Sequence, residues 1–176
     1  MKEADILLWI QEHLRTEMLD PVMQFITHLG DMAFIWIIFI VLLCAWKRTR
    51  LMGVQVFTGL AVSFLINNVI LKNVIARVRP YEAIQELGIL VDRQSDWSFP
   101  SGHSASSFVV ATIIWFHNRK MGTAALVLAG LIAVSRLYVG VHYPTDVLAG
   151  TASGIVIGAG IHLLWDKVFA GKGRNR

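Results

Sequence analysis

The chain has 176 residues, a length that suits one domain, and it carries a formal net charge of +4. Hydrophobic residues make up 55% of it and charged residues 16%, and the mean hydropathy is +0.58. This composition excludes an ordinary soluble domain and predicts a protein whose solvent is the bilayer. The basic residues are scattered at the ends of apolar segments without the pattern of a nucleic-acid module, so we expect no nucleic-acid partner.

The N-terminal region, residues 1–30, predicts two helices. Residues 3–19 place apolar side chains at helical spacing with charges between them, which indicates an amphipathic helix lying in the membrane interface. The same charges argue against a cleavable signal peptide. Asp20 and Pro21 then predict the cap and first position of a second helix that runs towards Gly30.

Five apolar stretches follow and predict membrane spans, at about 32–46, 51–71, 102–117, 122–138 and 145–165. The first stretch is short for a membrane span unless the span also includes residues before Met32. The fold class is therefore all-α: one polytopic helical bundle over residues 1–176, with a basic, disordered tail at 171–176.

Small and polar residues within these stretches are given structural interpretations. Gly150, Gly154 and Gly158 recur every four residues and predict a face for close helix packing. Asn67 and Asn68 are expected to form hydrogen bonds to neighbouring helices. Cys44, the single cysteine, is interpreted as a small buried hydrophobe. Four histidines match no motif and are expected at the surface or interface: His13, His28, His117 and His162.

The distribution of basic residues predicts the orientation. If the first helix does not cross the bilayer, nine basic residues fall on one side: Lys47, Arg48, Arg50, Arg119, Lys120, Lys167, Lys172, Arg174 and Arg176. Seven fall on the other: Lys2, Arg15, Lys72, Arg77, Arg79, Arg93 and Arg136. Three of these seven are assigned to chemistry below. The first side is therefore predicted to be cytoplasmic, and the polar segments 72–101 and 136–146 to face outwards.

Two polar clusters on this outer face suggest anion binding. In KNVIARVRP, Lys72 and Arg79 lie two helical turns apart and would share one face. They either clamp an anion or anchor a helix end by snorkelling. In FPSGHSAS, Ser101-Gly102-His103 opens an apolar helix, whose free backbone N–H groups suit an anion. The alternative is a plain serine cap.

A third cluster, SRLYVGVHYPTD, contains Arg136, His142 and Asp146. Asp146 comes four residues after His142, close enough to accept a ring N–H and to fix the tautomer. Such a pair on its own is more often structural. Three cations, two histidines, a carboxylate and a helix N-terminus on one face of an apolar protein together predict a phosphoryl-transfer site.

The three clusters match the pattern Lys-x6-Arg-Pro, Pro-Ser-Gly-His and Ser-Arg-x5-His-x3-Asp. Over about residues 55–165 the chain resembles the type 2 phosphatidic acid phosphatase (PAP2) superfamily, which also includes vanadium haloperoxidases. The resemblance implies a bundle, usually of six membrane helices, so the N-terminal region supplies the sixth or lies at the interface. It also implies a metal-independent active site without a cofactor.

The resemblance also implies residue roles. His142 attacks phosphorus and forms a phosphohistidine, while Asp146 orients and activates it. His103 protonates the leaving oxygen and afterwards activates water. Phosphate oxygens are bound by five residues: Lys72, Arg79, Ser101, Gly102 (through its backbone N–H) and Arg136. In the 81–99 loop, Tyr81, Asp96 and Trp97 either touch a lipid headgroup or are solvated.

The expected function is a lipid phosphatase of the plasma membrane that acts at the extracytoplasmic face. The expected partners of the protein are a lipid phosphate and the membrane. The chain, which is small and outward facing, resembles bacterial undecaprenyl-diphosphate phosphatases and phosphatidylglycerophosphate phosphatases. The alternative substrate is phosphatidylglycerophosphate or phosphatidate, because the catalytic set does not fix the lipid. A vanadate haloperoxidase and a channel or transporter are further alternatives, and the latter predicts charges deep within the spans.

Overall fold

The structure, a computed structural model, describes residues 2–173, with side chains described as far as Val168. These residues are all-helical and contain no strand. The elements are α1 (Glu3–Leu14), α2 (Leu19–Leu29), a 3₁₀ turn (Asp31–Ala33), α3 (Phe34–Ala45), α4 (Arg50–Ser63), a π-helical segment (Phe64–Leu71), α5 (Lys72–Ile75), α6 (Pro80–Ala83), α7 (Gly102–His117), α8 (Arg119–Tyr138) and α9 (Pro144–Gly173).

The membrane-spanning elements follow from length and apolar content. In the described chain three helical stretches are long and apolar enough to cross a bilayer: Arg50–Ala83, Arg119–Tyr138 and Pro144–Val168. The pair Leu19–Leu29 and Asp31–Ala45 is long and apolar enough only when taken together, and it is bent by 52° at the break, as in a broken span or a re-entrant loop. The stretch at 32–46 thus reaches the length of a span only together with the residues before Met32.

Helix α7 forms the centre of the bundle. All five predicted apolar stretches lie on helices, but α7 has 16 residues and is shorter than a typical span. It packs against α4, α8 and α9, and Val109, Val110, Ile113 and Ile114 are completely buried in the main apolar core. The other helices thus shield α7 from lipid, and its N-terminus lies at the end of the bundle that carries the polar clusters.

The three glycines of α9 allow a close contact with α7. A Cβ atom at Gly150, Gly154 or Gly158 would lie 2.4, 2.5 or 2.9 Å from an atom of the α7 segment. The predicted small-residue face therefore packs against α7. As a result the two helices begin side by side, and Ser101 N donates a 3.0 Å hydrogen bond to the Asp146 carbonyl.

The N-terminal region differs in detail from the prediction. Helix α1 ends at Leu14 rather than at residue 19, and its Leu7 is buried against Leu87 and Tyr143 of the same chain. Part of its apolar face thus packs on protein. Helix α2 begins at Leu19, so Pro21 lies inside the first turn rather than at its first position.

Two smaller predictions are also corrected. The Asn67 amide donates to Ser63 O and Oγ one turn earlier in its own helix, not to a neighbouring helix. Residues 171–173 of the predicted tail belong instead to α9, which continues to Gly173. Residues 174–176 lie outside the described part of the chain.

The glycine contact gives a stability prediction. Gly154→Ala places a methyl group 2.5 Å from the Ala105 carbonyl oxygen and should lower the free energy of unfolding by about 1–3 kcal/mol. Thermal unfolding in detergent measures the effect. The matched control is Gly160→Ala, where no atom lies within 4 Å of the new methyl group. Equal melting temperatures for the two variants would contradict the close contact.

Candidate active site

The predicted site residues converge on one cavity of about 560 Å³ at the end of the bundle where α7 and α9 begin. Six of the eight line it: Lys72, Arg79, Gly102, His103, Arg136 and His142. Ser101 and Asp146 are completely buried. The Ser101 hydroxyl caps α7 by accepting from Ser104 N at 3.4 Å, so its contact with phosphate stays a prediction.

Local backbone geometry brings the first cluster to the cavity. The π-helical segment Phe64–Leu71 is followed directly by Lys72, the first residue of α5. Ala76 adopts the left-handed conformation (φ 46°) that terminates α5. The chain then turns so that Arg79 caps the short helix α6, whose first residue is Pro80. The cations are therefore held by a turn rather than by one straight helix face.

His142 and Asp146 form a buried pair. The Nδ1 of His142 lies 3.6 Å from Asp146 Oδ2, and the two side chains are 2% and 0% exposed. Ser98 completes the contact, because its hydroxyl donates to Asp146 Oδ2 at 2.5 Å and lies 3.5 Å from His142 Nδ1. Because these contacts are made at Nδ1, Nε2 is the ring nitrogen that is left available to a ligand.

Electrostatics favour a neutral His142. The residue lies in the segment between α8 and α9. Burial lowers its pKa more than Asp146 raises it, and the charges of Arg136, Arg79 and Lys72 lower it further. A neutral imidazole has the free lone pair that a nucleophile requires.

Arg77 is a site residue that the sequence analysis missed. Its Nη1 donates to Asp146 Oδ1 at 2.6 Å and its Nη2 to Glu3 Oε2 at 2.6 Å. Glu3 Oε1 accepts in turn from Thr145 N at 2.9 Å. Arg77 was counted only as a topological charge, although its place two residues before Arg79 was a usable signal. The network connects α1 directly to the start of α9.

Lys72 and Arg79 are buried cations that share one carboxylate. Their side chains are 5% and 3% exposed, and both contact Asp96, which is 47% exposed. Arg79 also donates to Asp96 O at 2.7 Å and to Val141 O at 2.9 Å. Burial raises the pKa of Asp96, but Lys72 and Arg79 hold it below its ordinary value, so the carboxylate is charged at neutral pH. Of the two interpretations of the 81–99 loop, full solvation is thus wrong for Asp96.

His103 and Arg136 contact the N-terminal region. His103 Nε2 lies 2.9 Å from Asp31 Oδ1, and Arg136 Nη1 donates to Thr27 Oγ1 at 2.6 Å. Neither partner was predicted, because each lies far away in sequence. Arg136 is 1% exposed, and its Nε is buried without a hydrogen-bond partner among the described residues. An unpaired guanidinium donor of this kind suits an anion.

This geometry suits the binding of a tetrahedral oxyanion. Three buried cations and the N-terminus of α7 surround a neutral histidine. Among the described residues no group of three or more His, Cys, Asp or Glu side chains is placed to hold a metal ion.

The cavity extends from its charged end along an apolar groove. Ile37 and Ile40 of α3 and Phe57, Leu60 and Phe64 around α4 line this part. A cavity that is apolar along most of its length and ionic at one end matches a lipid with a charged headgroup.

Comparison with known proteins agrees with this geometry. The family model of the PAP2 superfamily matches residues 52–170. An undecaprenyl-diphosphatase of Sulfolobus acidocaldarius is 32% identical over 133 residues, which cover 75% of this chain and 64% of that protein. Phosphatidylglycerophosphatase B of Bacillus subtilis is 32% identical over 157 residues, covering 82% of this chain and 74% of that protein.

A solved structure is similar over nearly the whole chain. The transmembrane PAP2-type phosphatidylglycerolphosphate phosphatase of Bacillus subtilis superposes with a TM-score of 0.79 at 30% identity. The match covers 94% of this chain and 85% of that protein. The chain belongs to the PAP2 superfamily and is a membrane lipid phosphatase, a phosphoester hydrolase.

Proposed function

We propose that this phosphatase removes a terminal phosphate from a lipid at the outer face of the plasma membrane through a phosphohistidine at His142. The observation that carries the proposal is the buried His142 in one cavity with Lys72, Arg79 and Arg136. The unpaired Nε of Arg136 supports an anionic ligand at this point.

In the first half-reaction, His142 Nε2 attacks phosphorus. The N–P bond forms as the bond from phosphorus to the leaving oxygen breaks, and His103 gives its proton to that oxygen. The three cations stabilise the negative charge on the non-bridging oxygens, and the N-terminus of α7 at Gly102 adds its backbone dipole.

In the second half-reaction, water attacks the phosphohistidine. His103, now neutral, takes a proton from the water as the new O–P bond forms and the N–P bond breaks. His142 regains its lone pair and inorganic phosphate leaves. Asp146 keeps the His142 ring oriented and stabilises the positive charge that the ring carries as an intermediate, the role of a triad carboxylate.

The proposed substrate is undecaprenyl diphosphate. A relative named undecaprenyl-diphosphatase supports it, and the apolar groove accepts a long isoprenoid beside the ionic end of the cavity. Phosphatidylglycerophosphate is the second candidate, supported by the relative and the solved structure named for that activity. The buried charges cluster at one end of the helices rather than along the spans, an arrangement that argues against an ion pathway.

The nucleophile assignment predicts the outcome of one substitution. His142→Ala should lower turnover at least about 10³-fold without unfolding the protein, because no other group in the cavity is held as a nucleophile. A brief reaction with ³²P-labelled lipid, quenched in base because phosphohistidine is acid-labile, should label wild type and leave His142→Ala unlabelled.

His13→Ala is the matched control, since His13 is exposed and lies on α1. It should retain activity and labelling. Wild-type turnover or labelling in His142→Ala would refute the nucleophile assignment.

The substrate is tested by phosphate release from purified protein, with undecaprenyl diphosphate and phosphatidylglycerophosphate compared side by side in EDTA. We expect activity to survive the chelator, because the proposed chemistry uses nitrogen donors and cations of the chain itself. The diphosphate should be preferred. A preference for the glycerophosphate lipid would select the second candidate, and activity lost in EDTA and restored by Mg²⁺ would contradict the metal-independent mechanism.

Asp96 gives a prediction for anion affinity. Its carboxylate neutralises part of the charge of Lys72 and Arg79 and competes with phosphate for them. Asp96→Asn should therefore tighten competitive inhibition by inorganic phosphate, on the order of fivefold, as expected for one charge near buried cations. Asp92→Asn, at an exposed position of the same loop, should leave the inhibition constant unchanged. A weaker or unchanged affinity in Asp96→Asn would contradict this competition.

A further inference from the structure

A chain of three side chains leads from the cavity to the surface through Asp31. Asp31 Oδ1 lies 2.9 Å from His103 Nε2, and Asp31 Oδ2 lies 2.7 Å from His28 Nδ1. The His103 side chain is 15% exposed, whereas His28 is 58% exposed. Both oxygens of the carboxylate are thus engaged, one by the proposed acid and one by a surface histidine.

The backbone around Asp31 is shaped for this contact. Met32 and Ala33 adopt left-handed conformations, with φ of 48° and 57°. Such conformations are unfavourable for residues with a side chain and persist where the surroundings impose them. A Cβ atom at Gly30 would lie 2.5 Å from His103 Cδ2, so glycine is required for the ring to approach the turn. The break between α2 and α3 therefore fits around His103.

The charges near His103 make a carboxylate necessary for its proposed role. As an acid, His103 must carry a proton and a positive charge, while Lys72 and Arg136 line the same cavity. Two cations that line the same cavity disfavour the protonated, positively charged form of His103. Asp96 is already engaged by Lys72 and Arg79, and Asp146 by Arg77 and Ser98. Asp31 is the carboxylate in contact with His103.

We propose that Asp31 is a positioning residue for the general acid, holding His103 through Nε2 and stabilising its protonated form. The remaining ring nitrogen, Nδ1, then exchanges the proton with the leaving oxygen, and His28 fixes the carboxylate from the outer side. This inference rests on the proposed role of His103. It concerns a residue that precedes the segment matched by the family model, which begins at residue 52.

The test uses two soluble phosphate monoesters that differ in the leaving group. Octyl phosphate releases an alkoxide that needs a proton, whereas p-nitrophenyl phosphate releases a stable phenolate that does not. General acid catalysis contributes about 10²–10⁴-fold to a step that needs it. Asp31→Asn should therefore lower kcat/KM for octyl phosphate about 30-fold and change kcat/KM for p-nitrophenyl phosphate less than about threefold. The comparison uses kcat/KM because this ratio reports phosphoryl transfer to His142 and excludes the later hydrolysis step, which both substrates share and in which His103 acts as the base.

A retained kcat/KM for p-nitrophenyl phosphate also reports that the variant is folded. Asp92→Asn is the matched control, because it makes the same chemical change at an exposed position on the same end of the bundle, and it should affect neither substrate. Equal losses on both substrates in Asp31→Asn, or no loss on octyl phosphate, would overturn the inference.

His103→Gln separates this inference from the proposed function. It should show the same preference for the better leaving group, and the double variant Asp31→Asn/His103→Gln should be no slower than His103→Gln alone, because the two residues act as one unit. If His103→Gln lowers kcat/KM equally for both substrates, the acid assignment itself is wrong and the inference fails with it. If the loss in the double variant is the sum of the losses in the two single variants, Asp31 acts independently of His103 and the positioning role is wrong.

Discussion

Three buried cations impose the main physical constraint on this fold. Lys72, Arg79 and Arg136 are each at most 5% exposed in a protein made mostly of apolar side chains. Removing such charges from water costs several kcal/mol each unless partners compensate. The compensating groups come from every segment around the site: Asp96 from the long loop, the Val141 carbonyl from the segment before α9, and Thr27 from α2.

The packing of α7 against α9 places the two cavity histidines, His103 and His142, relative to these cations. The glycine face of α9 lets the two helices touch, and the bond from Ser101 N to the Asp146 carbonyl aligns their first turns. His103 on α7 and His142 just before α9 therefore face one cavity. The separation of the two histidines is fixed by backbone packing rather than by the conformation of flexible side chains, as a preorganised site requires.

The parts of the site that could be predicted are those whose residues lie close together in the sequence. Lys72 with Arg79, Ser101 to His103, and His142 with Asp146 are each separated by seven residues or fewer, so their grouping could be recognised before the fold was known. The small-residue face of α9 was also confirmed, since a four-residue repeat reports directly on one helix face. The partners Asp31, Thr27 and Asp96 escaped prediction, because their contacts join residues that are 17–109 positions apart.

Other differences have local physical causes. The prediction for Asn67 was wrong because its amide donates to Ser63, one turn earlier in the chain, rather than to a neighbouring helix. Helix α7 was expected to be an ordinary span, yet 16 residues suffice where neighbouring helices cover it. The five apolar stretches themselves, and the all-helical bundle that they imply, were correctly identified, because hydrophobicity over 15 or more residues is a stronger signal than any single polar contact.

A structure of the protein with bound vanadate would test the account most directly, because vanadate adopts the five-coordinate geometry of a phosphoryl group under attack. The account predicts vanadium bonded to His142 Nε2, vanadate oxygens within hydrogen-bond distance of Lys72, Arg79 and Arg136, and the Asp96 carboxylate displaced from the first two. Vanadate bound away from His142, or held while Asp96 still occupies both cations, would contradict a phosphoryl-transfer site centred on this histidine.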